Sequence, residues 1–278
     1  MAKLSKHKAR KRFGQNFLHD PNIIERIIAA IAATKEQHLV EIGPGKGAIT
    51  EHLVNHAGKL DVIELDRDLI PILEERFSAY ENFSIHSNDA LKFDFGSLLN
   101  AEGSLSSANG SKLRLVGNLP YNISTPLIFH LLENVAIIDD MHFMLQKEVV
   151  ERLTAAPGSK TYGRLSILVQ YLCHAEQLFI VPPGAFNPAP KVDSAIVQLT
   201  PRKEMSGTQL INASTDNLSD IARAAFSQRR KTLRNNLKKI LTAEQIEQCD
   251  IDPSRRAETL SISEFVSLTN LYVQTVES

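Results

Sequence analysis

Between His38 and Pro201 the chain alternates between two patterns of apolar and polar positions. Seven short apolar runs predict β-strands, and segments with apolar residues at helical spacing separate most of them. The predicted strands are Leu39–Ile42, Leu60–Ile63, Phe83–Ile85, Leu113–Val116, Met141–Leu145, Leu178–Val181 and Ala195–Leu199. Because strands and helices alternate, we predict an α/β domain with a mostly parallel, seven-stranded sheet and helices on both faces.

The two ends of the chain differ from this alternating region. Near the N-terminus, Asp20 and Pro21 predict the start of a helix, because aspartate caps helices and proline is favoured in the first turn. After Pro201 the sequence is polar through about Leu218, and the remainder has helical spacing without a strand pattern. We therefore predict two domains: residues 1–205, with a basic tail at 1–12, and a small all-helical domain at 206–278.

Charge is unevenly distributed, although the net charge is only -1. Two basic islands contain no acidic residue. The first is formed by Lys3, Lys6, Lys8, Arg10, Lys11 and Arg12, and the second by Arg223, Arg229, Arg230, Lys231, Arg234, Lys238 and Lys239. We interpret Arg229, Arg230, Lys231 and Arg234, on a predicted helix, as a track that binds RNA phosphates; the alternative is a solvated charged face.

The remaining composition argues against a secreted, membrane or metal-binding protein. The two cysteines, Cys173 and Cys249, have neither metal-ligand spacing nor the pattern of a disulfide framework. The longest apolar stretches are shorter than the roughly 18 residues of a membrane span, and the basic N-terminus lacks the apolar core of a signal peptide. We expect a cytoplasmic protein that binds no metal.

Three successive predicted strands end in residues suited to an adenosine ligand. The turn Gly43-Pro44-Gly45-Lys46-Gly47 follows the first strand, but it matches neither the dinucleotide-binding nor the P-loop pattern, which favours a nucleoside without a pyrophosphate. Glu64 follows Gly43 by about 20 residues, the spacing at which an acidic residue meets ribose hydroxyls. Asp89, after the third strand, can accept a hydrogen bond from an adenine amine. Either carboxylate alone could instead cap a helix.

The stretch Gly117–Thr125 follows the fourth strand and predicts a pocket for a flat, amino-bearing ring. The Asn118 amide oxygen and the Leu119 carbonyl can accept the two hydrogens of an aromatic amine, and Tyr121 offers a stacking face. Such acceptors draw the nitrogen toward a tetrahedral geometry, so that positioning provides most of the catalysis and no ionised base is required. An amine in a base must first be unstacked or flipped out.

These features together resemble class I methyltransferases that use S-adenosylmethionine. Four longer stretches, residues 9–18, 118–126, 144–150 and 186–195, resemble the KsgA (RsmA) family of small-subunit rRNA adenine dimethyltransferases. The resemblance extends into the helical tail, including Ala225–Thr232. It implies a Rossmann-like methyltransferase domain, an rRNA-binding helical domain and dimethylation of N6 in two adjacent adenines. By the same resemblance, those adenines would lie in a hairpin loop near the 3′ end of 16S rRNA and would be modified during subunit assembly.

The same resemblance implies roles for individual residues. Asn16 and Leu18 would close over the cofactor, Gly43 and Gly45 would form its turn, Glu64 would bind ribose and Asp89 adenine. Asn118 would lie between the cofactor and the target amine. Phe186, in the proline-rich loop, would be a second aromatic face opposite Tyr121; the alternative is that Phe186 packs beneath the loop.

Two other functions remain open at this stage. The resistance methyltransferases that modify large-subunit rRNA share the fold and a similar motif, although Leu119, the Phe186 loop and the full helical tail favour the small-subunit family. The second alternative is a protein that has lost catalysis and acts as an assembly checkpoint or RNA-binding protein. Intact Asn118, Tyr121 and Glu64 favour an active enzyme. The expected partner is the immature 30S subunit, bound by a monomer.

Overall fold

The computed structural model describes residues 15–100, 112–202 and 214–277. The first basic island and the predicted domain boundary at 205/206 lie outside these residues, as does the segment at 103–111, whose small and polar residues predict a surface loop. Among the described helices, none combines the length and the apolar character that crossing a membrane requires.

The strands and helices agree with the predicted alternation. The strands are β1 (Phe17–Leu18), β2 (His38–Ile42), β3 (Lys59–Glu64), β4 (Phe83–Ser87), β5 (Leu113–Asn118), β6 (Ile138–Gln146), β7 (Cys173–Val181), β8 (Phe186–Asn187) and β9 (Ser194–Pro201). The helices are α1 (Pro21–Ile31), α2 (Thr50–His56), α3 (Ile70–Phe77), α4 (Ser97–Asn100), α5 (Ser124–Glu133), α6 (Lys147–Leu153), α7 (Arg164–Leu172), α8 (Thr215–Ala225), α9 (Leu233–Leu237), α10 (Ala243–Glu247) and α11 (Ile262–Glu277).

The main sheet has seven strands in the order β4-β3-β2-β5-β6-β9-β7. The pairs β4–β3, β3–β2, β2–β5 and β5–β6 are parallel, and β9 is antiparallel to β6. The predicted mostly parallel, seven-stranded sheet is therefore confirmed. The direction of chain progression reverses between β2 and β5, and ligands of such sheets bind at this point, outside the carboxyl ends of the strands.

Burial explains why these segments form the centre of the fold. All five residues of β2 are buried, as expected for a strand covered on both faces. On α1, the Asp20 side chain accepts hydrogen bonds from the backbone N–H groups of Asn22 and Ile23, as the predicted N-cap requires. The buried face of α1 is formed by Ile23, Ile24, Ile27 and Ile31.

Gly117 allows β5 to lie close to β2 just before the predicted catalytic motif. A Cβ atom at this position would lie 2.4 Å from the backbone oxygen of Ile42, much closer than any normal contact. The glycine therefore fixes how closely the end of β5 approaches the end of β2.

A separate two-stranded sheet joins distant parts of the sequence. β1 pairs with β8 in antiparallel register, with Phe17 opposite Asn187 and Leu18 opposite Phe186. The backbone N–H of His19 also donates to the Ala185 carbonyl at 2.9 Å. The N-terminal segment is thus held against the proline-rich loop.

The chain divides into two compact units. Within the described residues, the first unit extends to Val150 and includes Glu176–Pro201, and the second includes Glu151–Ala175 and continues from Arg202. The predicted domains, 1–205 and 206–278, placed residues 151–175 with the sheet. They group instead with the C-terminal helices because α7 packs against α8 and α11.

The second unit corrects one local prediction. Arg229, Arg230 and Lys231 lie on a turn between α8 and α9, and only Arg234 is helical. The reason is that α8 ends at Ala225, where the Asn236 side chain donates hydrogen bonds to the carbonyls of Ala225 and Gln228. All four basic side chains are exposed.

Candidate active site

The first unit contains a cavity of about 340 Å³ at the carboxyl ends of β2 to β5. A volume of this size suits a small-molecule ligand. Nine of the predicted site residues line it: Asn16, Leu18, Gly43, Gly45, Glu64, Asp89, Asn118, Leu119 and Tyr121. The structure therefore brings together the predicted cofactor-binding residues and the predicted amine-binding motif.

The glycine turn after β2 is built around internal hydrogen bonds. Gly43, Gly45 and Gly47 all have positive φ, of 68°, 60° and 81°, which glycine adopts without strain. Their N–H groups donate to the Ile63 carbonyl, the Glu64 carboxylate and the Pro44 carbonyl, respectively. A phosphate-binding loop needs such N–H groups for its ligand. Because these three already have protein acceptors, the turn favours a nucleoside rather than a phosphate.

Glu64 is a buried carboxylate held in place by the backbone. Its two oxygens accept hydrogen bonds from the N–H groups of Gly45 and Asp66, at 3.2 and 2.8 Å. Burial raises the pKa of Glu64, and these two hydrogen bonds only partly oppose that effect. A ligand that donates hydrogen bonds to the carboxylate would favour its charged form. The chemistry of this site therefore fits a ribose diol.

A second buried carboxylate, Glu41, lies beside Glu64 in the wall of the cavity. Burial raises its pKa to about 7, and the negative charge of Glu64 contributes to the rise. The Thr50 hydroxyl donates to Glu41 at 2.6 Å and opposes the shift. No role for Glu41 was predicted from the sequence, because its burial depends on helix α2.

Asp89 combines a local structural role with a position in the cavity wall. Its Oδ1 atom accepts a hydrogen bond from the Leu91 N–H at 3.0 Å, which stabilises a turn. The next helix, α4, begins only at Ser97, so this contact is not the helix cap considered as the alternative. The residue also lines the cavity just after β4. One carboxylate oxygen can therefore maintain the turn while the other is available to a ligand amine.

The Asn118 amide is oriented by the N-terminal segment. Its Nδ2 atom donates to the Asn16 carbonyl at 3.0 Å, so Oδ1 is the acceptor that this side chain can offer. The next residue, Leu119, is held by a hydrogen bond from its N–H to the Met144 carbonyl at 3.1 Å. Backbone and side chain are thus both fixed at the end of β5.

Tyr121 is fixed by a partner that the sequence did not reveal. Its hydroxyl lies 2.7 Å from the Oγ atom of Ser194, a fully buried residue at the start of β9. Burial raises the pKa of Tyr121, and the hydrogen bond with Ser194 partly opposes this. The phenol is therefore held as a neutral ring at the edge of the cavity.

The N-terminal segment contributes contacts beyond those predicted. The Gln15 side chain donates to Asp66 at 2.9 Å, and Asp66 is a buried carboxylate that is only 1% exposed. The Phe17 ring lies beneath the Lys46 ammonium, 4.7 Å from the ring centroid. These contacts hold Asn16 and Leu18 against the glycine turn.

Two groups of predicted residues are not in the cavity wall. Phe186 is 3% exposed and packs in the hydrophobic core that also contains Leu18 and Ile196, so the structure favours packing beneath the loop over an aromatic face opposite Tyr121. The basic residues from Arg229 to Arg234 belong to the second unit. Among the described residues, no cluster of three or more His, Cys, Asp or Glu side chains is arranged to hold a metal ion.

This strand order, with a nucleoside-sized cavity at the switch point and an amide at the end of β5, defines a class I methyltransferase. The family model for ribosomal RNA adenine dimethylase matches residues 6–274. The chain belongs to this family and is an S-adenosylmethionine-dependent rRNA adenine dimethyltransferase.

Full-length relatives support the same assignment. The chain is 58% identical over 270 residues to ribosomal RNA small subunit methyltransferase A from Pseudomonas aeruginosa, covering 97% of each chain. It is 53% identical over 274 residues to the protein of the same name from a Marinomonas species, covering 99% of each.

Solved structures agree in fold. A dimethyladenosine transferase from Plasmodium falciparum superposes with a TM-score of 0.75 at 28% identity, covering 91% of this chain and 95% of the other. The 23S rRNA methyltransferase ErmE superposes with a TM-score of 0.70 at 23% identity, covering 93% of this chain and 100% of the other, which shows a shared fold.

Proposed function

We propose that the enzyme transfers two methyl groups from S-adenosylmethionine to N6 of each of two adjacent adenines near the 3′ end of 16S rRNA. The target is a hairpin loop of the immature 30S subunit, and the enzyme acts in the cytoplasm as a monomer without a metal ion. The observation that carries this proposal is the cavity in which Glu64, Asp89 and the oriented Asn118 amide lie together. The names of the full-length relatives support the small subunit as the target.

The cofactor half of the cavity recognises a nucleoside through acceptors. Glu64 accepts hydrogen bonds from the ribose hydroxyls, and Asp89 accepts one from the adenine amine. Gly43 and Gly45 permit close approach of the methionine part, while Asn16 and Leu18 lie over it. When bound, S-adenosylmethionine supplies a methyl group on a positively charged sulfur. The residues present fit this molecule because the acceptors suit a diol and an amine, and the turn has no need to bind phosphate.

The acceptor half holds the flipped adenine for an in-line transfer. The Asn118 Oδ1 atom and the Leu119 carbonyl accept the two hydrogens of N6, and Tyr121 stacks on the base. This pulls the N6 lone pair out of conjugation and points it at the methyl donor. As the N6–C bond formed, the methyl–sulfur bond would break and the sulfur would leave as a neutral thioether. N6 would then release one proton to water, so no ionised protein base is needed. After the first transfer only one N6 hydrogen remains, so one acceptor suffices for the second.

The role of Phe186 in stacking stays a prediction. Its burial means that a direct contact with the base would require the side chain to leave the core beneath the loop. In the present arrangement it instead supports Leu18, its partner in the β1–β8 pair.

RNA outside the active site is bound by the basic turn of the second unit, formed by Arg229, Arg230 and Lys231, together with Arg234 on α9. All four are exposed, and within the described part of the chain they form no ion pair. The Arg229 guanidinium donates to the Lys160 carbonyl, which anchors the turn. Exposed cations without acidic partners are suited to phosphate contacts.

Methylation of purified subunits tests the choice of target. Immature small subunits and large subunits are incubated separately with the enzyme and labelled S-adenosylmethionine. We expect label in the small subunit and background label in the large one. Incorporation mainly into the large subunit would favour a resistance-type enzyme, and binding to small subunits without incorporation would favour a non-catalytic assembly factor.

A further inference from the structure

The loop between β8 and β9, residues 188–193, carries exposed side chains directly before an active-site contact. Lys191, Val192 and Asp193 are exposed, whereas Ser194 is fully buried and bonded to Tyr121. Val192 is 47% exposed. A single exposed apolar residue is common on protein surfaces, so the exposure of Val192 alone indicates no function. Its position close to the active-site residue Ser194 is what suggests a binding role.

Both ends of this loop are fixed. Before the loop, β8 pairs with β1. At the last loop residue, the Asp193 carbonyl accepts a hydrogen bond from the Lys147 N–H at 3.0 Å. Pro188 and Pro190 restrict the backbone between these points. Lys191 and Val192 are therefore presented in a fixed position, which lowers the entropy lost when a partner binds.

The loop is close enough to reach nucleotides beside the target. Val192 is two residues from Ser194, so their Cα atoms are at most about 7.6 Å apart. The Ser194 hydroxyl in turn lies 2.7 Å from the Tyr121 hydroxyl. A flipped adenine stays covalently linked to its neighbours, so their bases and phosphates must pass near the edge of the cavity.

We propose that Lys191 and Val192 form a contact surface for the RNA nucleotides adjacent to the flipped adenine. This proposal rests on the proposed function and names a further part of the substrate that the enzyme recognises. Lys191 contacts a backbone phosphate, and Val192 packs against the face of the neighbouring base that flipping exposes. The exposed carboxylate of Asp193 repels phosphate and so confines the anionic contact to the Lys191 side.

Two substitutions separate these contacts, and each has a matched control. Lys191→Ala removes the cation, and Lys112→Ala removes an exposed lysine that precedes β5, at the opposite edge of the sheet. Val192→Asp places a charge against the base, and Val276→Asp changes a valine that is 66% exposed on α11. Affinity for immature small subunits is measured over a range of salt concentrations, together with kcat/KM.

For Lys191→Ala we expect the slope of log affinity against log salt to become shallower by about 0.7, the value for one phosphate contact on a single strand. For Val192→Asp we expect kcat/KM to fall about tenfold, as for the loss of one base contact. The two control variants should keep an affinity for small subunits and a kcat/KM within about twofold of the wild-type values. Binding of S-adenosylmethionine should be unchanged in all four variants.

The proposal would be overturned if Lys191→Ala kept the wild-type slope of log affinity against log salt and Val192→Asp kept the wild-type kcat/KM. For Lys191→Ala, a loss of affinity without a change in salt dependence would mean that this side chain contacts a ribosomal protein and not a phosphate, which also overturns the assignment to RNA. Wild-type methylation of the same subunits is measured in parallel. A failure of the proposed function would therefore appear in the wild-type enzyme, and a failure of this inference only in the variants.

Discussion

The hydroxyl of Tyr121 gives the stacking ring a fixed orientation through Ser194. We expect Tyr121→Phe and Ser194→Ala each to lower kcat/KM about fivefold, the effect of one hydrogen bond of about 1 kcal/mol. The double variant should be no worse than either single one, because both remove the same interaction. Steady-state methylation of small subunits measures this. Additive losses would contradict a shared positioning role.

Glu41 makes stability depend on pH in an unusual direction. Burial raises its pKa from 4.5 to about 7, so between these values the folded chain keeps a proton that the unfolded chain loses. The free energy of unfolding therefore falls as pH rises through this window. We expect Glu41→Gln to be more stable than the wild type by up to about 3 kcal/mol at pH 8, with no such gain near pH 4.

Denaturant unfolding at the two pH values measures this difference. Glu75→Gln, at an exposed position on α3, is the control and should show no pH-dependent gain. A Glu41→Gln gain that is equal at both pH values would mean that the carboxyl does not carry a raised pKa.

Residue positions at strand ends could be predicted from the sequence, but their partners could not. Glu64, Asn118 and Asp89 lie one, two and four residues beyond their apolar runs, so the strand pattern alone places them at one edge of the sheet. The hydrogen bonds that orient them join residues far apart: 102 positions separate Asn118 from Asn16, and 73 separate Tyr121 from Ser194. Such pairs depend on the complete fold rather than on local spacing.

At the scale of elements, the approach of β5 to β2 depends on one glycine. We expect Gly117→Ala to lower the free energy of unfolding by about 3 kcal/mol, because the new methyl group would meet the Ile42 backbone oxygen. Gly184→Ala is the control, since nothing lies within 4 Å of an added Cβ there. Denaturant unfolding compares the two. Equal stability of the two variants would show that the strands tolerate a wider spacing.

Long apolar elements were predictable, whereas very short ones and helix ends were not. The seven strands of the main sheet contain the predicted apolar runs, but β1 and β8 have only two residues each and carry no periodic signal. The helix predicted across Arg229–Arg234 is interrupted because Asn236 caps α8 from outside that helix. Caps supplied by a distant side chain are not visible in local spacing.

At the scale of the whole molecule, the basic turn of the second unit should affect substrate binding and not cofactor binding. We expect reversal of charge at Arg229, Arg230 and Lys231 to weaken affinity for small subunits and to reduce its salt dependence by about two to three phosphate contacts. Binding of S-adenosylmethionine should stay unchanged. Arg223→Glu is the control, because Arg223 is already paired with Asp220.

Affinity for subunits is measured by filter binding, and cofactor affinity by calorimetry. Wild-type subunit affinity in the reversed variant would contradict the proposed phosphate track. A loss of cofactor affinity would indicate instead that the substitutions disturb folding.

The division into units was predictable only in part. The change from an alternating to a helical pattern predicts that the C-terminal helices separate from the sheet, and these helices belong to the second unit. Residues 151–175 join them because α7 packs on α8 and α11, a contact between segments far apart in sequence. The composition of a helix alone does not predict which of two hydrophobic cores the helix packs against.

Mass spectrometry of 16S rRNA is the most direct test of the central claim, that this cavity dimethylates two adjacent adenines. Immature small subunits are incubated with labelled S-adenosylmethionine and either the wild-type enzyme or Asn118→Ala. We predict two adjacent N6,N6-dimethyladenines with the wild type. With the variant, we predict a rate lower by about a hundredfold or more, since one fixed polar group at the reacting centre is lost. Unmodified adenines with the wild type, or wild-type rates with Asn118→Ala, would contradict the account.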